Sequence, residues 1–315
     1  MTTISVIVPT HNRPESLART VRALLAQKRL PEEIIIVNDW TEKIPAELGK
    51  AITSAGVAFE YCELHTDRPS ASASRNRGME LASGQILVMI DDDVIPPACC
   101  LSDLVAMYDA AARDTVAAIG ARPVPPPPEN RLGRNLWNFL AAMLGETRWA
   151  PRACAARYVA LPPSLRAELT PGKPMSGCLM SLRREVAAEY QFDDEFFCGY
   201  VLGEDRDLSF RIAVDRPVFL AEGLTVLHDP HPGGRPDRLR MGRMLVSSTL
   251  HTARRCGDRG AGAFALLGYE FAGTFLLHTV WGVARWRKGN LLYAAGIALE
   301  VFSRLGKRIA AAVWG

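Results

Sequence analysis

The sequence has no regular cysteine spacing, no strong excess of one charge and no secretion signal at its start. Its seven cysteines in 315 residues include no Cys-x-x-Cys pair, which argues against a disulfide framework and against a zinc site. The net charge of +3 gives no reason to expect nucleic acid as a partner. The opening residues MTTISVIVPT contain neither a basic segment nor an apolar run of signal length, so we expect a cytoplasmic protein.

Charge is distributed unevenly along the chain, although the total is close to neutral. Residues 235–315 contain 13 Lys and Arg against 4 Asp and Glu, a local net charge of +9. Residues 1–234 therefore carry a net charge of −6. An acidic body favours metal ions or cationic groups, and a basic tail favours an anionic surface.

Residues 1–120 alternate short apolar runs with stretches of helical periodicity. Unbroken apolar runs separated by helices predict a parallel sheet that is covered on both faces. The ligands of such sheets collect at the carboxyl ends of the strands. Polar clusters follow three of the runs at these ends, and they are Thr10-His11-Asn12, Asn38-Asp39 and Asp91–Asp93.

The second half of the chain departs from this alternation. Residues 123–174 are rich in proline and tryptophan, and we expect an excursion there that forms a lid or an acceptor-side wall. Strand and helix signals return after residue 174, and the chain reads as helices from 238 onward. The sequence therefore predicts a catalytic domain over 1–234 and a basic helical extension over 235–315.

The helical extension carries signs of membrane association. Residues 263–284 are almost as apolar as a membrane span, but Glu270 and His278 interrupt them. The last helix has an apolar face opposite a basic one, which is typical of a helix lying in a membrane interface. We therefore expect a peripheral protein on the inner face of the cell membrane, with anionic lipid as a partner. The alternatives are a true span, or helices that pack on the sheet or on a second subunit of a homo-oligomer. The basic residues are Arg304, Lys307 and Arg308.

Three adjacent carboxylates follow the buried run at 86–90. Asp91, Asp92 and Asp93 repel one another, so a fold that groups them usually supplies a cation. Alternate side chains of an extended segment share a face, which predicts that Asp91 and Asp93 point the same way and Asp92 elsewhere. Mg²⁺ and Mn²⁺ prefer carboxylate and phosphate oxygens. A solvated loop is the alternative interpretation. Upstream, Arg75 is suited to gripping a phosphate.

Four further motifs stand in order along the chain, and they are Ser5-Val-Ile-Val-Pro-Thr-His-Asn-Arg-Pro, Ile34-Ile-Ile-Val-Asn-Asp-Trp-Thr, Ser74-Arg-Asn-Arg-Gly and Val88-Met-Ile-Asp-Asp-Asp-Val-Ile-Pro-Pro. In this order they resemble the motifs of the family 2 glycosyltransferases of GT-A fold. The resemblance covers residues 3–120 and, more weakly, 175–230. It implies an α/β, Rossmann-like GT-A fold with a C-terminal helical extension. Asn38 and Trp40 depart from the family's Asp-Asp-Gly-Ser segment, so the nucleobase is not assigned by this motif.

The resemblance also implies the roles of individual residues. The metal, Mn²⁺ or Mg²⁺, is expected on Asp91, Asp93 and His228, with His231 as a competing candidate. The donor is expected to be a nucleotide-diphosphate sugar, with UDP- and dTDP-sugars favoured. The residues expected to bind its nucleotide are Pro9, Thr10, Asn12, Arg13, Asp39, Arg75, Asp91 and Asp92.

A downstream segment resembles the part of the family that carries the general base of inverting members. It reads Phe192-Asp-Asp-Glu-Phe followed by Gly203-Glu-Asp-Arg-Asp. By this resemblance Asp205 is the base and Glu204 its neighbour. A helix start favours a carboxylate, and a second carboxylate beside it raises its proton affinity. The alternative is that both residues only cap a helix, with Asp194 or Glu195 next in line as the base.

Together these interpretations predict a metal-dependent inverting glycosyltransferase. Its acceptor hydroxyl is expected on a lipid-linked molecule or on a growing cell-surface glycan. The alternative is a catalytically inactive nucleotide-sugar-binding or scaffold protein on the same fold. A nucleotidyltransferase is disfavoured, because such an enzyme has a Gly-rich signature after its first strand, where this chain has Pro9-Thr-His-Asn-Arg-Pro.

Overall fold

A computed structural model describes residues 2–111, 115–124, 161, 163–166, 168–229, 237–257, 260–284 and 286–314. Most of the predicted excursion at 123–174 lies outside these residues, as does His231. The described residues form two compact units. Unit 1 comprises those up to residue 229 except 201–203, and unit 2 comprises 237–314 together with 201–203. The predicted domain boundary at 234 also falls outside the described residues and stays a prediction.

Unit 1 alternates strands and helices, as its apolar runs and helical spacings predict. Its strands are β1 (Ile4–Thr10), β2 (Glu33–Asn38), β3 (Ala58–Glu63), β4 (Ile86–Ile90), β5 (Val94–Ile95), β6 (Ala118–Val124), β7 (Leu169–Pro171), β8 (Leu179–Arg183) and β9 (Val218–His228). Its helices are α1 (Pro14–Leu25), α2 (Ala46–Ser54), α3 (Ala71–Leu81), α4 (Cys100–Ala110), α5 (Pro163–Arg166), α6 (Arg184–Glu189) and α7 (Glu204–Asp215).

The strands form one nine-stranded sheet with the order β3-β2-β1-β4-β8-β6-β9-β5, and β7 pairs with β9. Strands β1 to β4 are mutually parallel, with Val6 opposite both Ile34 and Val88. The prediction of a parallel sheet for residues 1–120 is confirmed for β1 to β4, whereas β8, from the second half of the chain, runs antiparallel to both β4 and β6. The α/β class and the GT-A fold are confirmed, with a mixed rather than a parallel sheet.

The core lies against the central strands. Every residue of β1 and of β4 is buried, which confirms that their apolar runs are covered on both faces. On α1, the predicted apolar spacing places Leu17, Val21 and Leu24 in this core. Pro14 begins that helix, where the missing N–H costs nothing.

One edge of the sheet gathers the polar clusters. The carboxyl ends of β1, β2 and β4 meet there because these strands are parallel. The antiparallel β8 starts at the same edge, since Leu179 pairs with Ile90. The end of β9 reaches it as well, because His228 pairs with Val94. Residues far apart in the sequence are therefore brought to one place.

Unit 2 contains three long helices, α8 (Arg238–Arg255), α9 (Ala261–Ala284) and α10 (Lys288–Trp314). The side chain of Asp237 caps α8 by accepting a hydrogen bond from the N–H of Arg240 at 2.8 Å. In the described part of the chain, no helix is both long enough and apolar enough to cross a membrane.

Helices α8 and α10 pack closely through two glycines. A Cβ on Gly242 would overlap the carbonyl oxygen of Tyr293, and a Cβ on Gly296 would overlap that of Leu239. The glycines therefore allow the two helix backbones to approach.

We predict that Gly242→Ala lowers the free energy of unfolding by about 1–3 kcal/mol, because the added methyl group overpacks the contact between α8 and α10. The matched control is Gly268→Ala on α9, where an added Cβ meets no atom within 4 Å. The control should raise stability by about 0.5–1 kcal/mol through helix propensity. Urea unfolding followed by circular dichroism measures both, and equal effects of the two substitutions would contradict the close packing.

Candidate functional site

A buried arginine lies at the centre of the candidate site. Arg75 on α3 is 2% exposed, and its two terminal nitrogens donate to different carboxylates. Nη2 bonds Asp91 Oδ1 at 2.7 Å, and Nη1 bonds Glu204 Oε1 at 3.1 Å. The ring of Phe192 lies 5.4 Å from the guanidinium carbon. Burial alone would lower the pKa of Arg75, but the two carboxylates raise it, so the side chain remains a cation.

Arg75 therefore joins three elements of unit 1: α3, the end of β4 and the start of α7. Sequence reasoning assigned it to a phosphate of the donor. Its terminal nitrogens bond Asp91 and Glu204, and its contact with a phosphate stays a prediction. An arginine held in this way fixes the positions of its two partners.

Glu204 and Asp205 open α7, and they are held differently. Burial and, to a smaller extent, the nearby Asp205 raise the pKa of Glu204 to about 7, although Arg75 opposes the shift. Asp205 Oδ2 accepts a hydrogen bond from the N–H of Gly177 at 2.8 Å, and its Oδ1 accepts one from the N–H of Arg206 at 2.7 Å. The two acids are thus distinct in environment although they are neighbours in sequence.

Gly177 precedes β8 and leaves space for this arrangement. A Cβ at position 177 would lie 2.8 Å from Nη2 of Arg75 and 3.6 Å from Oδ2 of Asp91. Any side chain there would push against the arginine or the carboxylate. The glycine therefore allows its own N–H to reach Asp205 while Arg75 passes beside it.

Residues 91–93 form a turn between β4 and β5 rather than an extended segment. Asp92 accepts hydrogen bonds from Thr10 Oγ1 at 2.7 Å and from Arg13 Nη1 at 3.2 Å. The same Arg13 nitrogen lies 3.4 Å from Asp93 Oδ2. The prediction that Asp91 and Asp93 point the same way and Asp92 elsewhere is therefore wrong. The turn allows Arg13 to contact both Asp92 and Asp93, while Asp91 faces Arg75.

Burial also shifts the pKa values of the carboxyl groups in this turn. For Asp92 it outweighs the hydrogen bond from Thr10 and the charge of Arg13, which lower the pKa, so the pKa is raised to about 6. Burial raises the pKa of Asp91 as well, although Arg75 opposes this. An added cation would favour the ionised form of both groups.

His228, at the end of β9, lies beside the same turn. Its Nε2 is 3.5 Å from Asp93 Oδ1. The hydrogen bond to Asp93, and a second one to Cys178, raise the pKa of His228 to about 10. Without a metal ion the pair is therefore an imidazolium and a carboxylate.

The donor set tests whether a metal ion fits. Asp93 and His228 are close enough to share an ion once the imidazole has lost its proton. Asp91 is the most exposed of the three aspartates, with 29% of its side chain accessible, and only its Oδ1 bonds Arg75. The described residues contain no group of three or more His, Cys, Asp or Glu side chains that could hold a metal ion by themselves. Carboxylate and imidazole donors suit Mn²⁺ or Mg²⁺ when substrate phosphates complete the shell.

Asp39 follows β2 and is 3% exposed. Both of its carboxylate oxygens accept hydrogen bonds from within the chain. Oδ1 accepts from the N–H of Thr66 at 3.2 Å, and Oδ2 accepts from Thr66 Oγ1 at 2.7 Å and from the N–H of Ser70 at 3.1 Å. Asp39 therefore fixes the segment that leads into α3, and its contact with a nucleobase stays a prediction.

The other predicted nucleotide-binding residues lie in or just after β1. Pro9 is buried within the strand, and Asn12 is exposed with φ +54°, a conformation that asparagine tolerates better than most residues. Next to Asn12, the imidazole of His11 meets the indole of Trp40 edge-on at 4.7 Å between ring centroids. Trp40 of this pair is one of the two residues that differ from the family's Asp-Asp-Gly-Ser segment.

Sequence reasoning missed some of the supporting residues. Asn76 forms two hydrogen bonds with the backbone of Phe192. Its Nδ2 donates to the carbonyl oxygen of Phe192, and its Oδ1 accepts from the N–H of Phe192. Thr20 Oγ1 donates to the carbonyl oxygens of Asp92 and Val94, both at 2.9 Å. Asn76 carried a signal, since it follows Arg75 in the third motif. Thr20 carried none beyond its helical periodicity.

Comparisons with known proteins agree with this architecture. Glycosyltransferase YibD of Escherichia coli is 32% identical over 102 residues, which are 30% of this chain and 27% of that protein. Glucosyl-dolichyl phosphate glucuronosyltransferase of Haloferax volcanii is 31% identical over 124 residues, 39% of this chain and 38% of that protein. The matched stretches thus span well under half of these curated relatives.

The fold is similar to that of a solved mannosyltransferase, PcManGT from Pyrobaculum calidifontis, in complex with GDP-Man and Mn²⁺. The TM-score is 0.55 at 16% sequence identity, over 96% of this chain and 88% of that one. At this identity the likeness shows the fold alone. The sequence model of the family described as "Glycosyl transferase family 2" matches residues 5–187, more than half of the chain. The chain therefore belongs to glycosyltransferase family 2.

Proposed function

We propose that this protein transfers a sugar from a nucleotide-diphosphate donor to an acceptor hydroxyl, with inversion at the anomeric carbon. The observation that supports the proposal best is the Arg75 bridge. It ties the aspartate turn, where a diphosphate and a metal ion would lie, to the acid pair that opens α7. Donor binding and proton abstraction would then occur within one hydrogen-bonded assembly.

The proposed base is Asp205. Its carboxylate would accept the proton of the acceptor hydroxyl as that oxygen attacks the anomeric carbon. The bond between this carbon and the diphosphate oxygen breaks in the same step, so the configuration inverts. The Gly177 N–H bond would hold Asp205 in place. Glu204 would stay on Arg75 as the neighbouring acid.

The proposed donor site uses the aspartate turn and the start of α1. Asp91, Asp93 and His228 would hold Mn²⁺ or Mg²⁺ together with the diphosphate oxygens, and the metal ion would neutralise charge on the leaving group. Arg13, which is partly exposed beside Asp92 and Asp93, is the cation best situated to meet the diphosphate. Arg75 would act through Asp91 and Glu204 rather than on a phosphate.

The proposal extends to the nucleobase of the donor, its sugar and the acceptor. UDP- and dTDP-sugars remain the favoured donors, and a thermal-shift screen of UDP-, dTDP- and GDP-sugars with Mn²⁺ would select among them. The acceptor is a glycan or a lipid-linked molecule. The name of the Haloferax volcanii relative includes glucosyl-dolichyl phosphate, which favours the lipid-linked alternative. Because residues 235–315 carry a net charge of +9, which anionic lipid attracts, we propose a peripheral enzyme on the inner face of the cell membrane.

We predict that Asp205→Asn lowers turnover on the order of 10²-fold or more, because the amide cannot accept the proton. Turnover is measured with the donor that the thermal-shift screen selects. UDP affinity with Mn²⁺ should stay close to that of the unaltered protein. The matched control, Asp109→Asn on α4, should be active, since Asp109 bonds only the exposed Thr2 hydroxyl in the described structure. If Glu204→Gln loses more turnover than Asp205→Asn, then Glu204 is the base instead.

A second prediction concerns the metal. Asp93→Ala should weaken UDP binding in Mn²⁺ by at least about tenfold, since it removes one metal ligand and the partner of His228. Isothermal titration calorimetry with and without EDTA measures this, and Asp103→Ala on the exposed side of α4 is the control. UDP affinity that is equal with and without EDTA would contradict the metal site.

A third prediction separates positioning from phosphate binding at Arg75. Arg75→Lys keeps the charge but cannot bridge Asp91 and Glu204 as the guanidinium does, so turnover should fall by about 10²-fold. A lysine that bonds Glu204 less closely should lower its pKa less than Arg75 does, so Glu204 should take up a proton at higher pH, and a limb of the pH–rate profile that reports Glu204 should move with it.

The matched control for this substitution is Arg77→Lys, two residues away on α3, where Arg77 forms an ion pair with the exposed Glu80. It should leave both turnover and the pH profile unchanged. An Arg75→Lys protein with normal turnover and weak UDP binding would show that Arg75 grips a phosphate after all.

A further inference from the structure

The buried face of α9 carries polar side chains at its centre. Glu270, Thr274 and His278 recur every fourth residue, so they lie on one side of the helix, and they are 1%, 1% and 7% exposed. Apolar residues such as Leu267 and Phe271 are buried beside them. Burial, reinforced by the charge of Arg238, lowers the pKa of His278 to about 4. Helix α8 of the same unit also buries polar side chains, which are Ser248, Thr249 and Thr252.

The opposite face of α9 is apolar and exposed. Leu276, Val280 and Val283 are 48%, 52% and 62% exposed, and Tyr269 and Phe275 lie on the same side. Glu270 is the only charged residue in the sequence from 261 to 284. The exposed face therefore carries no charge between residues 265 and 283, a length of about 27 Å at the rise of an α-helix. A helix in water normally shows the reverse pattern.

Helix α10 carries a separate group of exposed apolar side chains. Leu299, Phe302 and Leu305 follow one another at three-residue spacing and are 53%, 70% and 49% exposed. The ring of His278 on α9 lies 4.3 Å from the ring of Tyr293 on α10, so the exposed side of α9, which is opposite His278, points away from α10. We call the exposed apolar side chains of α9 the α9 face.

The turn between the two helices adds an aromatic residue and two cations. Trp286 is 95% exposed and adopts φ +51°. Arg287 and Lys288 follow it and are both exposed. Tryptophan next to basic residues is typical of the level of lipid headgroups, where the indole meets the acyl boundary and the cations meet phosphates.

We propose that the α9 face, with Trp286, Arg287 and Lys288 at the turn that follows it, docks on an anionic membrane surface. The apolar side chains would enter the headgroup and acyl boundary while α9 lies along the surface. Charge favours this partner over a second copy of the chain. Two copies would bring together two segments that each carry a net charge of +9, with Arg287 and Lys288 beside the contact, whereas anionic lipid complements that charge.

The inference rests on the proposed peripheral location and names the surface responsible for it. Docking does not itself require sugar transfer. UDP binding with Mn²⁺, measured in the same samples, therefore separates the two ideas. A protein that floats with vesicles but binds no UDP would retain the docking face and contradict the donor site.

Vesicle flotation of the full chain tests the face. Vesicles of phosphatidylcholine with phosphatidylglycerol should carry the protein upward, pure phosphatidylcholine vesicles should carry much less, and salt should weaken the binding. Leu276→Glu and Val283→Glu should each lower the affinity by about tenfold or more. The control is Ala51→Glu, which adds the same carboxylate to an exposed position of α2. Circular dichroism should show that all variants fold, since the substituted side chains are exposed.

The charge of the turn is tested separately. Arg287→Glu with Lys288→Glu should weaken binding to the anionic vesicles, and Lys50→Glu on α2 should not. Flotation of the Leu276→Glu and Val283→Glu variants equal to that of the unaltered protein would overturn the proposal. So would equal flotation on neutral and anionic vesicles. A dimer in analytical ultracentrifugation that Leu276→Glu dissociates, in a protein that does not float, would assign the face to a second copy instead.

Discussion

The site depends on the pairing of one buried cation. A guanidinium that is 2% exposed needs charged partners, because an unpaired charge in the interior is strongly destabilising. Arg75 finds them in Asp91 and Glu204, which lie 16 and 129 residues away in sequence. The pairing fixes where β4 ends relative to where α7 begins. The position of Asp205 and the need for a glycine at 177 follow from it.

Local patterns predicted the framework correctly, together with the sheet edge at which the polar clusters meet. Apolar runs predicted β1, β2 and β4, and the rule for parallel sheets predicted that Thr10, Asp39 and Asp91 meet at one edge. The antiparallel entry of β8 was not predictable, because its direction depends on the path of the chain before it rather than on its own residues.

The partners of individual side chains were also beyond the reach of sequence patterns. Asp39 satisfies its carboxylate with Thr66 and Ser70, which approach it only because β2 and the segment before α3 meet in space. The 91–93 turn similarly brings the carboxylate of Asp92 within hydrogen-bond distance of Thr10 and Arg13. Such pairings follow from burial, since a buried polar group must find a partner nearby. Motifs identify which residues matter, and the fold decides what each one touches.

The central claim is that the assembly around Arg75 performs sugar transfer with inversion. The most direct measurement is the anomeric configuration of the product, followed by proton NMR with the selected donor and Mn²⁺. Water serves as acceptor where no other is supplied. We predict that an α-linked donor releases its nucleoside diphosphate and a β-configured sugar at early times, before mutarotation. A product that retains the α configuration would contradict inversion, and a donor that stays intact in the presence of Mn²⁺ would contradict sugar transfer by this site.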